Sequence, residues 1–217
     1  MKRMLFLLAI VVSIASCNKV AKNKVEGSEA KAAAAGTGEL LLVDTTQSVI
    51  NWLGSKVGGT HNGTLQLSKG ALNINGEEVS AGSFIIDMNT IVDLDLTDKS
   101  YNEMLVGHLK SVDFFDVAQY PTSVFTITSI ERASVDSITH LVSGNLKLKD
   151  VEKNITFGAN ITKEGDVYQA ITVPFTIDRT QWNVQYGSKT LFANLKENIV
   201  DDNIELQIKI FARAKAN

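Results

Sequence analysis

The sequence predicts an all-β domain: an antiparallel sheet closed into a barrel or folded as a sandwich, carrying one short helix. Three observations lead there. Long stretches alternate apolar and polar residues with period two, the mark of strands with one buried and one wet face. Short clusters of Gly, Asn and Asp separate these stretches at hairpin spacing. A single block near residues 100–110 has helical spacing instead.

The N-terminus reads as something other than fold. Lys2 and Arg3, the apolar run Leu5 to Val12 and the small residues after it form a secretory signal, expected over residues 1–16. The run is too short for a membrane span, which needs about 20 apolar residues. Ile14-Ala15-Ser16-Cys17 resembles a bacterial lipobox, in which the cysteine is acylated, and Cys17 is the only cysteine in the chain. The other reading is ordinary cleavage with a leftover free thiol. Residues 17–38, rich in Lys and Ala and free of aromatics, are expected to be a lipid-anchored flexible tether. Asn18 is not Asp, so the familiar inner-membrane retention cue is missing and the outer membrane is expected. The rest, residues 39–217, has the length of one domain. A net charge of -3 gives no electrostatic case for nucleic acid.

Within the domain, Leu40 to Val43 and Val49 to Val57 open the strand series, with Ile50 and Trp52 on one face. Leu65/Leu67 and Leu72/Ile74 flank Lys69-Gly70, which reads as a hairpin, and Asn75-Gly76 suits a type I′ turn. Phe84, Ile86 and Met88 share a face. Further on, Phe125 and Ile127 head a strand; Val142, Gly144, Leu146 and Leu148 oppose Ser143, Asn145, Lys147 and Lys149. Ile155, Phe157, Ala159 and Ile161 follow, then Ile171, Val173, Phe175 and Ile177, and last Ile204, Leu206, Ile208 and Ile210. A barrel would remove the exposed edges of so large a sheet. Between strands, Ser100 is expected to N-cap a helix with Glu103 as its capping-box partner. Tyr101, Met104, Leu105, His108 and Leu109 then give it an apolar face.

Three blocks resemble the signature of the YceI-like family. They are Gly107-His108-Leu109-Lys110-Ser111-x-Asp113-Phe114-Phe115-Asp116 with Tyr120-Pro121, Gly144-Asn145-Leu146-Lys147-Leu148-Lys149, and Asp178-Arg179-x-x-Trp182. The likeness covers about Glu39 to Ala214. It implies an extended lipocalin-like antiparallel β-barrel with a short helical cap and a long cavity for an amphiphilic chain. It also implies export, and for some members association with polyisoprenoids. The chain departs from that pattern at Trp52-x-Gly54-x-Lys56-x-Gly58-Gly59-x-His61-Asn62-Gly63, which is denser in glycine and places Trp where a smaller aromatic is usual.

Inward positions supply the expected cavity wall: Trp52, Phe84, Ile86, Phe125, Ile127, Phe157, Val173, Phe175 and Ile208. Head-group candidates are His61, His108 and Arg179; the alternative for Arg179 is a tie from a strand end to carbonyls or a carboxylate. Phe114 and Phe115 either line the mouth or seat the cap. The three histidines form no i, i+4 pair, and Asp93, Asp95 and Asp98 lack the glycine and glutamate of a calcium loop, so no metal is expected and these carboxylates read as solvated. No cofactor motif and no Gly-x-Ser-x-Gly elbow is present. Three functions compete. The leading one is a periplasmic, membrane-anchored lipid-binding protein for an isoprenoid-like or other long-chain amphiphile, possible as a homodimer. The second is a stress-related scaffold with a filled barrel. The third is a lipid-modifying enzyme using His61, His108 and Asp113; no catalytic residue is assigned.

Overall fold

A computed structural model of the chain describes residues 23–135, 137–195 and 198–214. The segment expected as a signal, residues 1–16, and Cys17 lie outside the described residues. The domain is an eight-stranded antiparallel barrel with one helix. Its strands are β1 (Lys24–Val25), β2 (Glu39–Val43), β3 (Val49–Lys56), β4 (Gly59–Asn75), β5 (Glu78–Asp93), β6 (Thr122–Val135), β7 (Ile138–Leu148), β8 (Val151–Glu164), β9 (Val167–Thr172), β10 (Phe175–Asp178) and β11 (Asn203–Ala214). Helix α1 (Lys99–Lys110) separates β5 from β6.

Closure depends on two broken staves. β11 pairs with β10 and β3 along its first half, and with β9 and β2 along its second. Hence β2 and β3 act as one stave interrupted near Asp44–Ser48, and β9 and β10 as another interrupted at Val173–Pro174. Pro174 has no N–H to give a ladder, so this is where the stave can break.

The breaks and bulges explain where periodicity misleads. Lys69-Gly70 is not a hairpin: β4 runs through it for 17 residues. A register shift between Leu67 and Lys69 marks a bulge there. One extra residue turns the following side chains to the other face, so Leu67 and Leu72 both point inward although their spacing is odd. The Asn75–Glu78 hairpin has positive φ at Gly76 and not at Glu77, a type II′ pattern rather than I′. Helix α1 is capped by Asp98, not Ser100; the Asp98 carboxylate accepts from the N–H groups of Ser100 (2.8 Å) and Tyr101 (3.1 Å).

The segment expected as a tether is not free over its second half. β1 pairs in parallel with β10, and Ser28 bridges Asn154. The chain then crosses the outer wall. Asn145 Oδ1 accepts from Lys31 N–H (3.1 Å) while Asn145 Nδ2 donates to the Lys31 carbonyl (2.7 Å). Ala34 N–H donates to the Ile127 carbonyl (2.9 Å), left without a ladder partner by the bulge between Ile127 and Ser129. Asn145 and Asn154, outward-facing and polar, are buried under this strap. Composition alone missed it because the strap is held mainly by backbone groups and two asparagines, with Val25 and Ala34 as the apolar side chains it packs against the core.

Candidate functional site

The three sequence blocks meet at one end of the barrel. After α1 the chain turns through Ser111–Tyr120 and buries Phe114, whose ring lies 5.6 Å from the Arg179 guanidinium carbon. Arg179 is fully buried and donates to three carbonyls: Nε to Asp201 (3.0 Å), Nη1 to Val184 (2.6 Å) and Nη2 to Val200 (3.1 Å). Asp202 Oδ1 stands 3.6 Å from it. Burial pulls the guanidinium below its ordinary pKa, while the carboxylates of Asp202, Asp178 and Asp201 oppose that shift. Trp182, also fully buried, donates Nε1–H to the Leu146 carbonyl (2.9 Å). Lys149 reaches the carbonyls of Phe114 (3.3 Å) and Asn183 (3.1 Å). These contacts fasten the cap and the 183–202 loop to the strand ends. Arg179 thus holds the rim together, as its alternative reading had it, although its side chain also borders the cavity.

Below the rim lies an apolar chamber of about 350 Å³. Trp52, Ile86, Phe125, Phe157, Phe175 and Ile208 line it, together with Leu105 and Leu109 of α1, Phe114 and Phe115. Deeper in the barrel is a second space of about 80 Å³, bordered by Phe84 and Ile127 and, from above, by Phe125 and Phe157. An aromatic stack divides the two. Phe157 lies parallel to Phe175 at 4.6 Å, 5.5 Å from Phe125, which is 6.3 Å from Phe84. Gly144 makes room for it, since a Cβ there would stand 2.2 Å from the Phe125 ring. Val173 lines neither space. It sits at the break between β9 and β10, where the inward positions change from Tyr168, Ala170 and Thr172 to Phe175 and Ile177.

Polar groups are few and gather at the mouth. His61, on β4, borders the chamber, and its Nδ1 is 3.0 Å from Asp95 Oδ2. His108 also borders it, set edge-on between the rings of Phe114 (5.1 Å) and Tyr186 (4.6 Å), with Nε2 3.6 Å from Asp113. Among the described residues no hydroxyl is hydrogen-bonded to either imidazole, so the geometry brings neither a nucleophile. Asp93 is buried, not solvated; its Oδ1 accepts from Leu96 N–H (2.9 Å) and Asn102 Nδ2 (3.1 Å). Loss of hydration pushes the Asp93 carboxyl up. Burial acts on Asp95 in the same sense, but the Asn62 N–H and His61 outweigh it and hold Asp95 below the usual range. Sequence reasoning missed two further features. Trp52 Nε1–H is buried beside the chamber with no partner, and Tyr186, from a loop without periodicity, closes the mouth over His108.

The model of the YceI-like domain matches residues 42–212. This chain belongs to that family. It is 30% identical over 105 residues to Protein YceI of Escherichia coli O6:H1, and equally so to Protein YceI of Salmonella arizonae. Those stretches are 48% of this chain, which spans half the length of the curated relatives it matches. Among solved structures, BcnA of Burkholderia cenocepacia superposes with a TM-score of 0.60 at 20% identity, over 78% of this chain and 98% of that one. A polyisoprenoid binding domain from Saccharophagus degradans, implicated in plant cell wall breakdown, gives 0.60 at 18%, over 82% and 100%. Of the residues in the three sequence blocks, His108, Leu109, Phe114, Phe115, Leu146, Leu148 and Arg179 face the chamber.

Proposed function

We propose that this YceI-like barrel holds the tail of one long-chain amphiphile, isoprenoid-like or fatty, in its upper chamber, and that a lipid on Cys17 tethers it to the periplasmic face of the outer membrane. The observation that carries the reading is the chamber itself, open and almost wholly apolar beneath a fastened rim. Its volume falls in the range of about 300–1,000 Å³ usual for ligand pockets. Each methylene withdrawn from water there contributes about 0.8 kcal/mol, so a ten-carbon tail gains about 8 kcal/mol before the cost of ordering it. The polyisoprenoid binding domain of Saccharophagus degradans, which shares the barrel, supports the ligand class. The anchor and its location rest on the lipobox-like Ile14-Ala15-Ser16-Cys17 and on Asn18. Because residues 24–34 are strapped to the wall, fewer residues separate Cys17 from the barrel than composition suggested, and the barrel would stand close to its membrane.

The test is extraction of the purified full chain followed by mass spectrometry. One long-chain amphiphile recovered near one per chain is the expected result. Repeatedly empty protein that also binds no added long-chain amphiphile overturns the reading. Cys17→Ser should abolish incorporation of labelled palmitate and release the protein from membranes; unchanged fractionation would remove the anchor from it.

A further inference from the structure

The pairing of β4 with β5 sets Gly63 opposite Asp93 and brings the ends of both strands to the mouth. There one nitrogen of His61 and one carboxylate oxygen each of Asp93 and Asp95 lie within 4.8 Å of one another. The cluster is not merely acidic. Asp93 is 6% exposed, and its Oδ2 is buried with no hydrogen-bond partner. A buried carboxylate oxygen without a donor is costly unless something positive meets it. Among the described residues, no lysine or arginine pairs with Asp93 or Asp95; the nitrogen that meets the pair is His61 Nδ1, 3.0 Å from Asp95 Oδ2.

We propose that His61, Asp93 and Asp95 bind a divalent first-row transition ion, of which zinc is the type. One imidazole and two carboxylates match the nitrogen and oxygen ligands of such ions, whereas calcium takes about six to eight oxygens. Bond lengths of about 2.1 Å require ligand atoms closer together than 4.8 Å. His61 and Asp95, already 3.0 Å apart, need little change. Two of the ligands are held in place. Asp93 is fixed through Oδ1 by Leu96 and Asn102, and Asp95 Oδ1 accepts from Asn62 N–H at 2.8 Å. Three protein ligands leave a position open, as in zinc sites that take a further group. His61 borders the chamber, so an ion here would give the apolar tube a receptor for an anionic head group. That extension rests on the lipid reading above; the metal site itself does not.

The experiment uses metal alone, on the delipidated full chain: zinc by calorimetry and cobalt by visible absorption. One ion per chain is expected. Asp93→Asn, which keeps an oxygen for Leu96 and Asn102, should lose it. His61→Gln and Asp95→Asn, at less buried positions, should each weaken it beyond the roughly 10–100-fold typical of an outer-shell change. Thermal melts of the three variants check that each is folded. No saturable uptake by the wild type overturns the proposal, as does proton uptake by the carboxyl pair with no metal. Uptake left unchanged in all three variants also overturns it, since the ion would then sit elsewhere.

Discussion

The upper and lower halves of this barrel are built from the same eight staves, two of them broken between the halves, and differ in whether their interior is filled. Below the aromatic stack, Leu67, Leu72, Val79, Ile127, Val142, Tyr168 and Ile210 are all buried and leave about 80 Å³. Above it, Trp52, Leu65, Leu146, Leu206 and Ile208 point inward yet stay only half-buried around about 350 Å³. The two ends are closed differently as well. The floor is tied by Arg132 to Glu78, with His140 Nε2 3.7 Å from the same carboxylate, and Arg132 chiefly holds Glu78 below its ordinary pKa. The roof is a helix with no buried residue. Alternation decides which side chains face in; whether they meet across the interior depends on bulges, stave breaks and ring positions.

The largest effect should come from removing the divider. Phe125→Ala takes out the ring that borders both spaces and packs between Phe84 and Phe157. A loss of about 3–5 kcal/mol in urea unfolding is expected, the usual cost of truncating a packed phenylalanine. If the two spaces then join, the variant should recover longer-chain amphiphiles than the wild type. Recovery of the same chain lengths would mean that the ring does not set the depth of the chamber.

Filling the upper space is the next test. Leu206 faces only the upper chamber, and its neighbours in register are Trp52 on one side and Phe175 on the other. Leu206→Trp should place an indole where a tail is proposed to lie. At least about a tenfold loss of affinity for a long-chain probe is expected, equivalent to about 1.4 kcal/mol. Stability should change by less than the roughly 1–3 kcal/mol of overpacking a closed core, because the space is there. Intact binding would show that the tail lies elsewhere.

The all-β class, the helix and the inward set were legible because period two survives along most strands. Trp52, Ile86, Phe125, Phe157, Phe175 and Ile208 reach the chamber as alternation placed them. Val173 and the supposed hairpin at Lys69-Gly70 failed for one shared reason. An inserted residue shifts the phase, and the residues that mark such places, Gly70 and Pro174, do not by themselves tell an insertion from a turn or a continuing strand. The Asp93 cluster was illegible for another reason. His61 is 32 residues from Asp93 in sequence, and only the β4–β5 register brings them together. The strap was hidden because its partners, Asn145 and Asn154, look like ordinary outward polar positions until something covers them.

The smallest expected effect is also the sharpest check on the division. Ile210 is buried, borders the lower space and not the upper one, and sits two positions along β11 from Ile208, which borders both. Ile210→Val removes one methyl group and should cost about 0.5–1.5 kcal/mol in urea unfolding. It should leave the affinity for a long-chain probe unchanged, since the stack of Phe84, Phe125 and Phe157 stands between that methyl and the tail. A shift in affinity, or in the chain length recovered, would mean that the tail already passes the stack. The halves would then be one tube in solution.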